Sequence, residues 1–241
     1  MLHLVAGLLL AACLAPFCAP SRKKKIIQWW CKKVLGILNI EVKVSGDSPN
    51  KSATLFVSNH ISWVDVFALM SIVPLIFIGK SDIKNWPLLG FLARHGNVIF
   101  IEREKRLEAK RMNPMLRQLL TSGEQLCYFP EGTTTNGTHL LPFKASLLQT
   151  AIDTKTSIQA VAIFYPLKNQ KPNIAMSYAG DTTIMQSLKN ILHQQNPKVA
   201  LHFFSAINTA QLSLAEQDRR LVCAKIQDEI QTHLYGATSK K

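Results

Sequence analysis

Beyond about Glu41, apolar residues in this 241-residue chain come in short runs separated by longer amphipathic stretches. Strand-like runs fall at Thr54–Val57, Ile76–Gly79, Val98–Ile101, Gln125–Phe129, Ile158–Phe164 and Val199–Phe204. Helix-like stretches lie at Val64–Met70, Leu88–Ala93, Arg106–Ser122, Ser146–Lys155, Thr183–His193 and Ser213–Tyr235. This alternation predicts an α/β domain with a mixed, largely parallel sheet flanked by helices. No internal repeat or low-complexity tract interrupts it, and the segment from Lys168 to Pro172 reads as a solvent loop.

The first forty residues follow a different pattern. Met1 to Pro20 is almost wholly apolar and close to the roughly 20 residues that cross a hydrocarbon core. Arg22 to Lys25 follow at once, so a spanning segment would leave the rest of the chain on the cytoplasmic side. A cleaved signal peptide or a lipoprotein site at Leu10-Ala11-Ala12-Cys13 would need a basic start, which is missing. Ile26 to Ile40 has helical periodicity, with Ile26, Ile27, Trp30, Val34, Ile37 and Leu38 on one face. Such a stripe suits either the headgroup plane of a bilayer or the protein's own core. The adjoining apolar and basic residues favour the bilayer. The expected division is a membrane-associated helical segment at 1–40 and one domain at 41–241.

Composition sharpens this. Apolar residues make up 47% of the chain, enough for a core, and the net charge of +13 calls for an anionic partner. No Asp or Glu precedes Glu41, and the lysines there are interleaved with Trp29-Trp30. That mixture fits an anionic membrane better than nucleic acid, for which no recognition motif is present. The five cysteines are scattered, so no disulfide framework is implied and reduced thiols are expected.

Three blocks carry candidate chemistry. In Ser58-Asn59-His60-Ile61-Ser62-Trp63-Val64-Asp65, an imidazole follows a strand and a carboxylate stands five residues later. A His can take a proton from an alcohol near neutral pH, and a carboxylate partner holds its tautomer. The spacing allows contact only if His60 precedes a helix whose first turn holds Asp65, with Ser62 as an N-cap candidate. The same residues also read as a capping box, a purely structural role for Asp65. In the second block, Gly96 to Arg103, a strand delivers Arg103 as a planar fork for phosphate or carboxylate. Pairing with Glu102 or Glu104 is the plainer reading. The third, Phe129-Pro130-Glu131-Gly132-Thr133-Thr134-Thr135, is a Gly- and Thr-rich loop whose backbone can approach phosphate oxygens. Glu131 could orient a substrate hydroxyl, and Lys144 adds a cation nearby. The alternative is an ordinary polar turn.

Taken in order, Asn59 to Asp65, Gly96 to Arg103, Phe129 to Thr133 and Val161 to Pro166 resemble the glycerolipid acyltransferase family, the lysophosphatidic acid acyltransferases in particular. Lys80-Ser81-Asp82-Ile83 and Trp86 to Gly90 also look like family text. The resemblance implies that His60 is the general base and Asp65 orients it. Arg103, Glu131, Gly132, Thr133 and Lys144 would hold the acceptor. The donor would be acyl-CoA or acyl-carrier protein, used as substrate with no bound cofactor or metal. The acceptor would be 1-acylglycerol-3-phosphate, met at the cytoplasmic face of a membrane, the inner membrane in a bacterium. Two departures stand out. Thr134 occupies a position where many members have Arg, and Ala160 one where a proline is frequent. Thr134 therefore keeps another lysolipid, such as lyso-ornithine lipid, in play. A non-catalytic membrane-binding relative is the rival from another class. A serine hydrolase lacks its Gly-x-Ser-x-Gly elbow here, and the dispersed histidines give no His-x-x-x-His metal pair.

Overall fold

Each buried strand of the domain is apolar on both faces because helices cover both sides of the sheet. The computed structural model describes residues 20–80, 98–101 and 106–236. The apolar segment before residue 20, the 81–97 stretch with the Leu88–Ala93 helix, Arg103 with Glu102 and Glu104, and the C-terminal tail lie outside the described residues.

In chain order the main elements are α1 (Pro20–Ile37), β1 (Glu41–Gly46), β2 (Thr54–Ser58), α2 (Val64–Ile72), β3 (Ile76–Lys80) and β4 (Val98–Ile101). There follow α3 (Arg106–Thr121), β5 (Gln125–Tyr128), α4 (Leu148–Asp153), β6 (Ser157–Phe164), α5 (Ile184–Leu192), β7 (Lys198–Phe203) and α6 (Arg219–Tyr235). The seven strands form one sheet in the order β1-β7-β6-β2-β5-β3-β4. Every neighbouring pair is parallel except β6 and β7, where Val161 faces Phe203 in an antiparallel register. The sheet is thus mixed and largely parallel, as expected. Six strands stand where the apolar runs place them, and β1 is an addition. Glu41–Gly46 is mostly exposed and carries charges on an edge strand, so its weak apolar signal hid it.

Side chains alternate between two cores. Phe56, Cys127, Val161 and Ile163 point to one, beneath α1, α2 and Ile191 of α5. Leu55, Val57, Leu126, Tyr128, Ala160 and Ala162 point to the other, beneath α3, α4 and α6. Burying a Leu, Ile or Phe side chain is worth about 1.5–3 kcal/mol, so these two layers hold the strand ends in place.

The apolar stripe of α1 departs from the bilayer-facing expectation. Val34 is buried with Cys31 and Leu35, while Ile27, Trp30 and Leu38 pack against the same core. The reason is α2, which lies beside α1 and offers it a partner face: Trp30 meets Phe67 at 5.7 Å, and Gln28 Nε2 donates to the Ile72 carbonyl at 2.9 Å. Trp29 and Ile37 remain exposed, with the Lys33 ammonium 5.8 Å from the centroid of the Trp29 ring. Among the described residues no helix is long and apolar enough to cross a membrane.

Candidate active site

Strands β6, β2 and β5 are adjacent and parallel, so their C-terminal ends open on one edge of the sheet. Ligands of open α/β sheets commonly sit outside such carboxyl ends. The loop after β2 is pinned there by Asn59. Its side chain donates to the Ile163 carbonyl at 2.9 Å and accepts from the Ile163 N–H at 2.7 Å, continuing the ladder to β6.

His60 leaves the strand just before the helix, and Asp65 stands in the first turn of α2. That arrangement brings them together: His60 Nδ1 lies 2.8 Å from Asp65 Oδ2. With Nδ1–H donated to the carboxylate, Nε2 is the ring nitrogen left to accept a proton. The imidazole is only 17% exposed and stacks on Phe129 at 3.8 Å with planes 4° apart, which fixes its tilt. Phe77 continues the stack 5.7 Å beyond Phe129.

Asp65 also braces the turn that leads into α2. Oδ2 accepts from the backbone N–H of Ile61 at 2.7 Å and of Ser62 at 2.9 Å, while Ser62 Oγ reaches only to 3.4 Å from the Val64 N–H. The helix start itself falls at Trp63, with no side-chain cap, so Ser62 is not the N-cap and the reciprocal capping box does not form. Its other oxygen, Oδ1, accepts from the Tyr165 phenol at 2.5 Å. Asp65 is 0% exposed, so these donors replace the water it has lost.

Glu131 follows β5 and is directed inward. Oε1 accepts from the His60 N–H and Oε2 from the Leu141 N–H, each at 2.8 Å. Each oxygen thus carries one bond from protein backbone. Burial pushes its carboxyl up to about 7, against the lowering effect of those two bonds. Gly132 takes a positive φ of 77°, which turns the chain back over the loop. Thr133 is exposed on that turn. Thr134 Oγ1 donates to the Tyr178 carbonyl, and the Thr135 N–H donates to the His60 carbonyl at 2.9 Å. The Tyr178 N–H in turn donates to the Ile61 carbonyl at 2.8 Å. Lys144 is exposed, and its N–H donates to the Pro130 carbonyl, which sets it beside the start of the same loop.

His60 thus lies on the loop after β2, Asp65 in the first turn of α2, and Glu131, Gly132, Thr133 and Lys144 on the loop after β5. Arg103 lies outside the described residues; β4 ends at Ile101, paired with Lys80, on the same edge of the sheet. Among the described residues no group of three or more His, Cys, Asp or Glu side chains is placed to hold a metal ion. No local feature of the sequence marks Asn59, Phe129 or Tyr165 as functional beyond their place inside the motif blocks.

A half-buried imidazole held by a buried carboxylate, beside a Gly-Thr loop, is equipped to deprotonate a hydroxyl. Comparison with known proteins gives the family. Residues 39–164 match the family described as Acyltransferase. The chain is 31% identical to the lyso-ornithine lipid O-acyltransferase of Pseudomonas aeruginosa, across 90% of this chain and 81% of that protein. It is 32% identical to the 1-acyl-sn-glycerol-3-phosphate acyltransferase of Neisseria meningitidis, across 88% and 82%. The crystal structure of the 1-acyl-sn-glycerophosphate acyltransferase of Thermotoga maritima has the same fold, with a TM-score of 0.65 at 21% identity over 95% of this chain and 89% of that one. On the matched family and these relatives, the chain belongs to the acyltransferase family.

Proposed function

We propose that this protein moves a fatty acyl group from the thioester of acyl-CoA or acyl-carrier protein to the sn-2 hydroxyl of 1-acylglycerol-3-phosphate. The observation that carries the reading is the 2.8 Å contact between His60 Nδ1 and Asp65 Oδ2, which leaves Nε2 to act as base. The acceptor O–H gives its proton to Nε2 as the oxygen attacks the thioester carbonyl carbon. The tetrahedral intermediate collapses, the C–S bond breaks, and the thiolate takes the proton back from the imidazolium. Asp65 stabilises that imidazolium.

The acceptor's phosphate would lie against Arg103, Lys144 and the backbone of Gly132 and Thr133, where cations and loop N–H groups favour an anion. Glu131 serves as a strut for the His60 backbone. The basic residues 22–33 with exposed Trp29 and Ile37 favour work at an anionic membrane surface.

A second acceptor has a specific observation behind it. Thr134 is tied to the Tyr178 carbonyl and brings no cation to the loop, and relatives that act on lyso-ornithine lipid and on 1-acylglycerol-3-phosphate match at similar identity. The test is acyl transfer by purified membranes carrying the protein, with each acceptor against each donor. Faster turnover of 1-acylglycerol-3-phosphate supports the main reading, and preference for lyso-ornithine lipid replaces it with the second. Wild-type turnover by His60→Ala would overturn the base assignment.

A further inference from the structure

Asp65 divides its bonds unevenly. Oδ2 faces His60 and the backbone N–H groups of Ile61 and Ser62, whereas Oδ1 faces one side chain, the phenol of Tyr165. Tyr165 comes from the residue after β6, 100 positions away, and is 1% exposed within the core under α1 and α2. Its backbone carbonyl accepts from the Asn173 N–H at 2.7 Å. Two residues earlier, Ile163 is clamped to Asn59, so the base of the phenol and the loop bearing His60 form one frame.

We infer that Tyr165 is a positioning residue for acyl transfer, fixing the Asp65 carboxylate against His60 and setting how strongly that carboxylate holds the imidazolium. This rests on the assignment of His60 as base. A buried tyrosine needs only one acceptor, and a backbone carbonyl would serve. Here the acceptor is the carboxylate that orients the base. Burial and the neighbouring Asp65 charge push the phenol well above its ordinary range, so it keeps its proton and remains a donor. Each donor on Asp65 draws charge from it. Loss of the phenol would leave the carboxylate a stronger partner for imidazolium, and His60 would hold its proton to higher pH.

Other groups bear on the same pair. Glu131 accepts from the His60 N–H and titrates near 7, and the buried Cys127 thiol is pushed up partly by the Asp65 charge, so it stays neutral. The experiment therefore includes a background without the Glu131 carboxyl.

Steady-state acyl transfer is measured against pH for the full-length wild type, Tyr165→Phe, His60→Ala, and Tyr165→Phe combined with Glu131→Gln. Tyr165→Phe is expected to lower kcat about tenfold, as befits a lost hydrogen bond to a charged group, while KM changes less than about twofold because the phenol does not reach substrate. The acid limb of kcat/KM should move up by about half a unit to one unit, and the shift should persist in the Glu131→Gln background. Replacement of Tyr165 by 3-fluorotyrosine keeps the donor and makes it more acidic, so the limb should move down and kcat stay within about threefold. A kcat and acid limb matching wild type in Tyr165→Phe would overturn the positioning role. If that variant fails to fold, an unmoved limb in the fluorotyrosine protein overturns it instead. Wild-type activity in His60→Ala would defeat the base assignment, whereas an inactive His60→Ala beside an unaffected Tyr165→Phe defeats this inference alone.

Discussion

Asp65 and Glu131 are both buried carboxylates, and both accept from the backbone of the 59–65 segment. Asp65 has four donors across its two oxygens, one of them the imidazole of His60. Glu131 has two backbone N–H donors, and burial still outweighs them, so its carboxyl rises to about 7. Burial alone therefore does not decide what a carboxylate does here. The donors differ in kind as well as number: an imidazole and a phenol join the backbone N–H groups on Asp65, whereas Glu131 meets backbone N–H groups alone.

Replacing His60, the proposed base, should have the largest effect. His60→Ala should reduce kcat by about 10²–10⁴-fold, and Asp65→Asn, which turns an amide N–H₂ toward donors, by about 10²-fold or more. Acyl-transfer kinetics with a lysolipid acceptor measure both. Loss of the four-donor site should show in folding as well. Asp65→Ala strands two N–H groups and a phenol, at about 1–3 kcal/mol for each unsatisfied group, readable from denaturant unfolding.

Glu131→Ala strands only two N–H groups, so its loss should be smaller, about 2 kcal/mol or more on the same scale. If it proved costlier than Asp65→Ala, donor number would not be the deciding variable. Glu131 also predicts a pH signature. Folding raises its carboxyl from an ordinary 4.5 to about 7, so its stabilising contribution is complete below pH 4.5 and is lost as pH rises through 7. Glu131→Gln should remove that decline, and unfolding curves collected from pH 4.5 to 7.5 would reveal it. The smallest effect is expected at Gly137, whose φ is +79° and whose added Cβ would lie 3.2 Å from Ile61 Cδ1. Gly137→Ala should cost about 1 kcal/mol, with kcat lowered only slightly.

Much of this was legible before any coordinates. His60 and Asp65 could be paired because one helix start determines whether a five-residue spacing closes, and the helix does begin between them. The strands of the domain centre could be placed because both their faces are apolar. The face of α1 could not be assigned in the same way. Its stripe suits a bilayer or a core equally well, and the choice depended on α2 lying beside it. The backbone bonds of Glu131 could not be foreseen, because a Glu next to glycine carries no mark of which N–H groups will surround it. Its partners are 71 residues upstream and 10 residues downstream.

Periodicity, turn residues and the motif blocks are local properties, and they determined the strand and helix segments and marked His60 and Asp65 as a candidate pair. The antiparallel joining of β7 to β6, the addition of edge strand β1, and the meeting of Tyr165 with Asp65 were decided only in three dimensions. Each depends on segments far apart in the chain competing for one another's hydrogen bonds and apolar faces, and no local pattern records which competitor prevails.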